Sequence, residues 1–202
     1  MTLRTSEIPG ARERLLAAAD ELFYENGVHT VGIDRVIERA DVAKATLYST
    51  FGSKEELVLA YLRARHASTQ AKVERALKEN YASARERLIG VFEVQGTNFV
   101  PGFRGCAFVG ASAESKEGGA VQRAADDFRA WLRGLFLHLT TEAGAPDPLA
   151  LARQLILLYD GAIVTAWMDR DPNASVAALS AARVLVEAAL PSRVNAPPTT
   201  ER

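Results

Sequence analysis

Residues 41–57, DVAKATLYSTFGSKEEL, decide how this chain is read. Asp41, Val42 and Ala43 make a tight turn, and Lys44 to about Phe51 make a short helix in which Leu47 and Phe51 lie one turn apart and point inward. Ser53 and Glu56 have the spacing of a capping box: the serine accepts from the free amides of a new helix and the glutamate reaches back. With Leu47 and Phe51 turned in, Lys44, Ala45, Thr46, Tyr48 and Ser49 are left nearer the outside.

Upstream, Leu15, Leu16, Ala19, Leu22 and Phe23 fall on one stripe of a helix from Ala11 to Asn26, and Gly27 supplies its left-handed stop. Ile33, Val36, Ile37 and Ala40 follow the i, i+3, i+4, i+7 pattern of a second helix, which turns Asp34, Arg35, Glu38 and Arg39 outward. Downstream the helical period persists. A long fourth helix runs from Ser53 towards Asn80, a fifth through Leu88, Phe92 and Phe99 ends at Pro101 and Gly102, and a short sixth spans about Cys106 to Ser115. A seventh carries Val121 to Leu139. An eighth, from Pro148 to Met168, has apolar residues on more than one face and so needs cover on two sides. The ninth, from Val176 to Leu190, is rich in alanine and permits close helix contact. No alternating strand pattern interrupts them, so the expected fold is all-α with about nine helices.

Composition limits the functional classes. The 202 residues are 48% hydrophobic, enough for a substantial core. There are 24 Lys and Arg against 25 Asp and Glu, a net charge of −1, so bulk charge carries no nucleic-acid signature. The first 65 residues hold nine basic and ten acidic side chains. Any case for phosphate binding must therefore rest on where charges sit. A single cysteine, Cys106, excludes an internal disulfide framework, and neither a signal-peptide pattern nor a long uncharged apolar span is present. Cytoplasmic location and no membrane partner are expected.

A helix, a turn of three or four residues and a second short helix is the arrangement that sets a recognition helix in a major groove. The residue types at 44–51 suit that task. Lys44 offers a charge to a phosphate, Thr46 and Tyr48 offer hydroxyls, Ser49 lies beside them, and Ala43 and Ala45 allow close backbone approach. Lys54, in the first turn of the next helix, would join free amides in a second phosphate clamp.

These residues resemble the DNA-binding domain of the TetR family of transcriptional regulators, over residues 11–65. The resemblance is carried by RLLAAADELFYENG, by a second helix ending ERADV, and by AKATLYSTFGSKEEL. It implies an N-terminal helix-turn-helix domain over 10–56 and a helical ligand-binding and dimerisation domain over 57–190; composition, polar with proline and little to bury, makes a flexible arm at 1–9 and a disordered tail at 191–202 the expectation for the ends. It also implies a homodimer, a near-palindromic duplex operator and a small-molecule effector of unknown identity. Three positions depart from the family's habit. Gly32 stands where a hydroxyl residue is common, Asp41 replaces a turn glycine, and Ala43 replaces a frequent Ser or Thr. Asp41 is tolerable because Asp enters the left-handed region readily.

The last two helices can pair with those of a second copy in a four-helix bundle, or be central helices of a monomer core. Phe92, Phe99, Phe103, Trp131, Phe136 and Trp167 are candidates to line an effector pocket, and aromatics at helical spacing also serve as plain core. Cys106, after Arg104 and Gly105, has the setting of a redox thiol or of a small buried hydrophobe. His29, His66 and His138 lack metal-ligand spacing, and no Gly-rich phosphate loop or Ser-His-Asp arrangement can be argued. The expected protein is thus a DNA-binding regulator with no metal, cofactor or catalytic residue, and most naturally a repressor. The alternatives are a helical interaction module without DNA binding and an all-α enzyme.

Overall fold

A computed structural model describes residues 9–190; the arm expected at 1–9, Pro9 excepted, and the tail expected at 191–202 lie outside the described residues. Within them the chain is all-α. The helices are α1 (Ala11–Asn26), α2 (Ile33–Ala40), α3 (Lys44–Phe51), α4 (Lys54–Asn80), α5 (Ala84–Gly96), α6 (Ala107–Ala113), α7 (Ala120–Glu142), α8 (Pro148–Met168) and α9 (Ala174–Ala189). They divide into two compact units: the described residues through Thr69 with Cys106–Phe128, and Gln70–Gly105 with the residues from Arg129 onward. Helices α4 and α7 each contribute to both.

In the first unit α1 buries Leu15, Ala18, Ala19, Leu22 and Phe23 and packs against α2 and α3. Val36 and Ala40 of α2, Leu47 of α3, and Leu57, Val58, Tyr61 and Leu62 of α4 complete this core. Phe23 meets Tyr61 edge-on with ring centres 5.6 Å apart. Gly27 ends α1 at φ +85°, a value a side chain would resist, while its N–H donates to the Phe23 carbonyl at 3.0 Å. Helix α6 belongs to this unit as well. Phe108 stacks on Phe128 at 4.0 Å, His66 stands edge-on to Phe128 at 5.5 Å, and Glu114 past the end of α6 accepts from the His29 backbone N–H at 2.7 Å.

The second unit is built on an apolar core. Phe92, Phe136 and Tyr159 pack ring against ring with centres 5.9–6.1 Å apart. Full burial of one such phenyl group contributes about 1.5–3 kcal/mol. Helix α9 packs on both α8 and α5. Gln95, buried in α5, donates from its side-chain amide to the Tyr159 carbonyl at 2.8 Å, which satisfies a polar group within this core.

The fifth helix stops earlier than its apolar spacing suggests, at Gly96 rather than at Pro101 and Gly102. The Asn98 and Phe99 amides donate three residues back, to Gln95 and Gly96, and the Thr97 hydroxyl donates to the Val94 carbonyl, so the chain tightens into turns. Phe99 is still buried, but from the turn that follows the helix.

Helix α8 buries Leu151, Leu155, Ile156 and Tyr159 on one side. On its other side Leu157, Val164 and Met168 are exposed, Leu157 by 73%. By length and composition α8 is apolar enough to cross a membrane, with a mean hydropathy of 1.4. Its Asp160 instead pairs bidentately with Arg129 of α7, at 2.7 and 2.9 Å, and its buried side packs on α9.

Candidate nucleic-acid interface

Helix α3 is held from beneath and from both ends. Leu47 is fully buried, while Phe51 is half-buried under the Arg12 guanidinium, 5.5 Å from its ring centre. The turn before α3 is fixed by Asp41, which takes the left-handed conformation at φ 51°, ψ 58°. The Asp41 and Val42 amides then close back on the carbonyls of Glu38 and Ile37 at 3.2 and 3.1 Å, the bonding of a Schellman end. Arg14 of α1 secures the same corner: its Nε donates to the Ala40 carbonyl at 3.1 Å and its Nη2 to the Asp41 carbonyl at 3.2 Å.

Neither short helix has a side-chain N-cap. Gly32 precedes α2 and Ala43 precedes α3, both extended and without a capping side chain. The Thr46 amide closes back on the Ala43 carbonyl at 2.9 Å, and the Lys44 and Ala45 amides before it have no capping side chain from Ala43.

Around this frame Ala45 and Ser49 are exposed, Tyr48 is 46% exposed, and Thr46 is half-buried. The Ser49 hydroxyl donates to the Thr46 carbonyl at 3.0 Å, so its proton is used within the helix. Lys44 is exposed and its ammonium lies 3.0 Å from Asp34 Oδ1 in the first turn of α2. That hydrogen bond, and then the carboxylate's charge, raise the Lys44 pKa above its ordinary value. Lys54 reaches the His29 carbonyl at 3.4 Å, and Ser53 Oγ accepts from the Glu56 amide at 3.1 Å to start α4. Arg39, outward on α2, is drawn sideways into a pair with Glu21 at 2.7 Å.

The sequence reading did not find Arg14, Arg12 or Glu114. Their partners lie tens of residues away, 26 for the Arg14 to Ala40 bond, and no local spacing encodes such a contact. Among the described residues no group of three His, Cys, Asp or Glu side chains could hold a metal ion.

The six aromatic candidates of the second unit separate by burial. Phe92 and Phe136 are fully buried in the core, packed against each other and Tyr159. Phe99 is buried against half-buried Phe103, with ring centres 5.0 Å apart. Trp131 is half-buried, and Trp167 is 50% exposed with its ring over Gly105. An open groove of about 350 Å³ in this unit is lined by Tyr81, which precedes α5, and by residues of α5 and α9, including Ile89, Glu93 and Arg183, and by none of the six. His138 is exposed, 3.7 Å from Glu142.

Residues 15–61 match the family described as bacterial regulatory proteins, tetR family. A TetR-family transcriptional regulator from Streptomyces coelicolor superposes with a TM-score of 0.84 at 35% identity, covering 89% of this chain and 95% of that one. The transcriptional repressor NemR of Escherichia coli is 27% identical over 171 residues, 79% of this chain and 85% of NemR. The transcriptional activator FasR of Mycolicibacterium smegmatis is 39% identical over 82 residues, and this match spans 37% of FasR and 41% of this chain. With a helix-turn-helix built as above, and with the Streptomyces coelicolor regulator 35% identical and matched over 95% of its length, the chain belongs to the TetR family, and it is a DNA-binding transcriptional regulator, not an enzyme.

Proposed function

We propose that this chain is a homodimeric, ligand-responsive repressor that reads a near-palindromic operator, with α3 of each protomer in the major groove. The observation that carries the reading is α3 itself. Leu47 pins it, and Lys44, Ala45, Thr46, Tyr48 and Ser49 make up the exposed and half-buried surface around that anchor, with Lys54 opening the next helix. Lys44 and Lys54 take phosphates, Thr46 and Tyr48 face base edges or phosphates, and Ala45 lets the helix sit deep. Ser49 serves as an acceptor, since its proton is engaged.

Dimerisation through α8 and α9 is favoured by the apolar residues these helices leave exposed. These are Leu157, Val164 and Met168 on α8, and Val176 and Val184 on α9. An effector would act by favouring dimers whose recognition helices are wrongly spaced, with α4, which starts at Lys54, as the lever. Phe103, Trp131 and Trp167, with part of each ring uncovered, are better placed to meet a ligand than Phe92, Phe99 and Phe136. Repression is favoured over activation because the likeness to NemR extends over 79% of this chain, that to FasR over 41%. The protein would work in the cytoplasm.

Selection of bound fragments from a random duplex pool by the purified protein tests this reading. The expected product is a near-palindrome whose half-sites lie roughly 34–36 Å apart, or a multiple of that spacing. Recovery of no enriched sequence, or of a single unpaired half-site, would overturn it.

A further inference from the structure

We propose that Asp34 is a specificity-determining residue: its carboxylate holds the Lys44 ammonium away from phosphates on non-cognate DNA and releases it when α3 is seated on its operator. The proposal rests on the reading of α3 as the recognition helix.

The geometry is unusual for a surface meant to meet a polyanion. Asp34 is the second residue of α2, and its side chain is 81% exposed. It lies 3.0 Å from Lys44, whose side chain is 57% exposed. A first-turn acid does favour the α2 amides, but the carboxylate binds the α3 lysine as well. The pair also ties the starts of the two helices of the motif together while it offsets the Lys44 charge.

Non-specific binding to a duplex is a matter of lysine and arginine meeting phosphates, and each contact adds about 0.9 to the slope of log affinity against log salt. A lysine occupied by Asp34 adds nothing to that slope. An exposed pair of this kind is weak, so it yields once α3 is held at the right depth by other contacts. Thr46 and Tyr48 can supply those contacts only where the bases match. Lys44 then exchanges carboxylate for phosphate, and affinity for the operator gains what affinity for random sequence does not.

The test compares wild type, Asp34→Asn and Lys44→Ala on two duplexes: one selected by the wild-type protein from a random pool, and a scrambled duplex of the same composition. Affinity is measured across a fourfold range of salt. In Asp34→Asn the scrambled duplex should bind about threefold tighter or more, with a slope steeper by about one, while the slope on the selected duplex stays as in wild type. The ratio of the two affinities therefore falls. An equal change on both duplexes, or no change in either slope, overturns the proposal. Lys44→Ala separates this failure from a deeper one. If it weakens binding to the selected duplex while Asp34→Asn leaves the ratio alone, only the proposal fails. If Lys44→Ala leaves binding and slope on the selected duplex untouched, the recognition-helix reading falls with it. Asp34→Ser, which keeps a short polar side chain in the first turn of α2, repeats the measurement should the asparagine variant fold poorly.

Discussion

The two units use their side chains in opposite ways. In the first, none of the residues proposed to act on DNA is core: Lys44, Ala45, Tyr48 and Ser49 are exposed, Thr46 and Lys54 half-buried, and Leu47 with Val36 and the α1 stripe fixes where they stand. In the second, half of the aromatic residues considered for ligand contact are themselves core: Phe92, Phe99 and Phe136 are buried. A helix-turn-helix therefore allows stability and function to be changed separately, whereas in the second unit a change at these rings alters packing before it can report on a ligand.

This contrast can be broken by mutation. The largest effect is expected for Phe136→Ala, which empties a fully buried site and should cost about 3–5 kcal/mol in chemical unfolding. Leu47→Ala should cost about 2–5 kcal/mol and also abolish operator binding, because it removes the anchor of α3. Arg14→Ala leaves two carbonyls at the corner of the motif without their donor and should cost about 1 kcal/mol, with weakened DNA binding as the turn loosens. If Arg14→Ala leaves gel-shift affinity unchanged, the corner does not need that clamp. Lys44→Ala should sharpen the contrast: stability stays close to that of wild type, since the pair it breaks is exposed, while operator affinity falls.

The smallest effect is one of pH and belongs to the second unit. Burial, followed by the hydrogen bond to Glu93 at 2.6 Å, pushes the Tyr81 phenol up to about 12. Its folded pKa is raised, so its contribution is complete below its ordinary pKa near 10 and is lost as pH rises towards 12. Tyr81→Phe should therefore lose less stability than wild type between those limits in unfolding measured against pH. Parallel curves would deny the phenol this role.

The parts of the fold that are local in the chain were legible in the sequence. The ends of α1 and α3 fall where apolar period, Gly27 and the turn at Asp41 put them, and Asp41 does adopt the left-handed conformation expected of an aspartate there. Contacts between distant residues were not legible. The end of α5 depends on hydrogen bonds in the turn beyond it, and the packing of α6 beside the loop at His29 joins residues 85 apart. The candidate interface shows the same division. Helical spacing separates Leu47 from its outward neighbours, but the engagement of Lys44 by Asp34 requires two helices to be placed together, and periodicity reports on one helix at a time. Period alone also cannot tell an aromatic that lines a cavity from one that fills a core, which is why the six rings separate only once burial is known.

The central claim is that α3 enters the major groove, and site-directed cleavage tests it most directly. Ala45 is exposed in the first turn of α3, and Cys106 is the chain's one thiol. In a Cys106→Ser background, Ala45→Cys can therefore carry an iron chelate at a single known place. The expected result is strand cleavage confined to the major groove of both half-sites of the selected duplex, in a pattern symmetric about its centre. Cleavage scattered along the duplex, or absent from the half-sites while the labelled protein remains bound, would contradict the account.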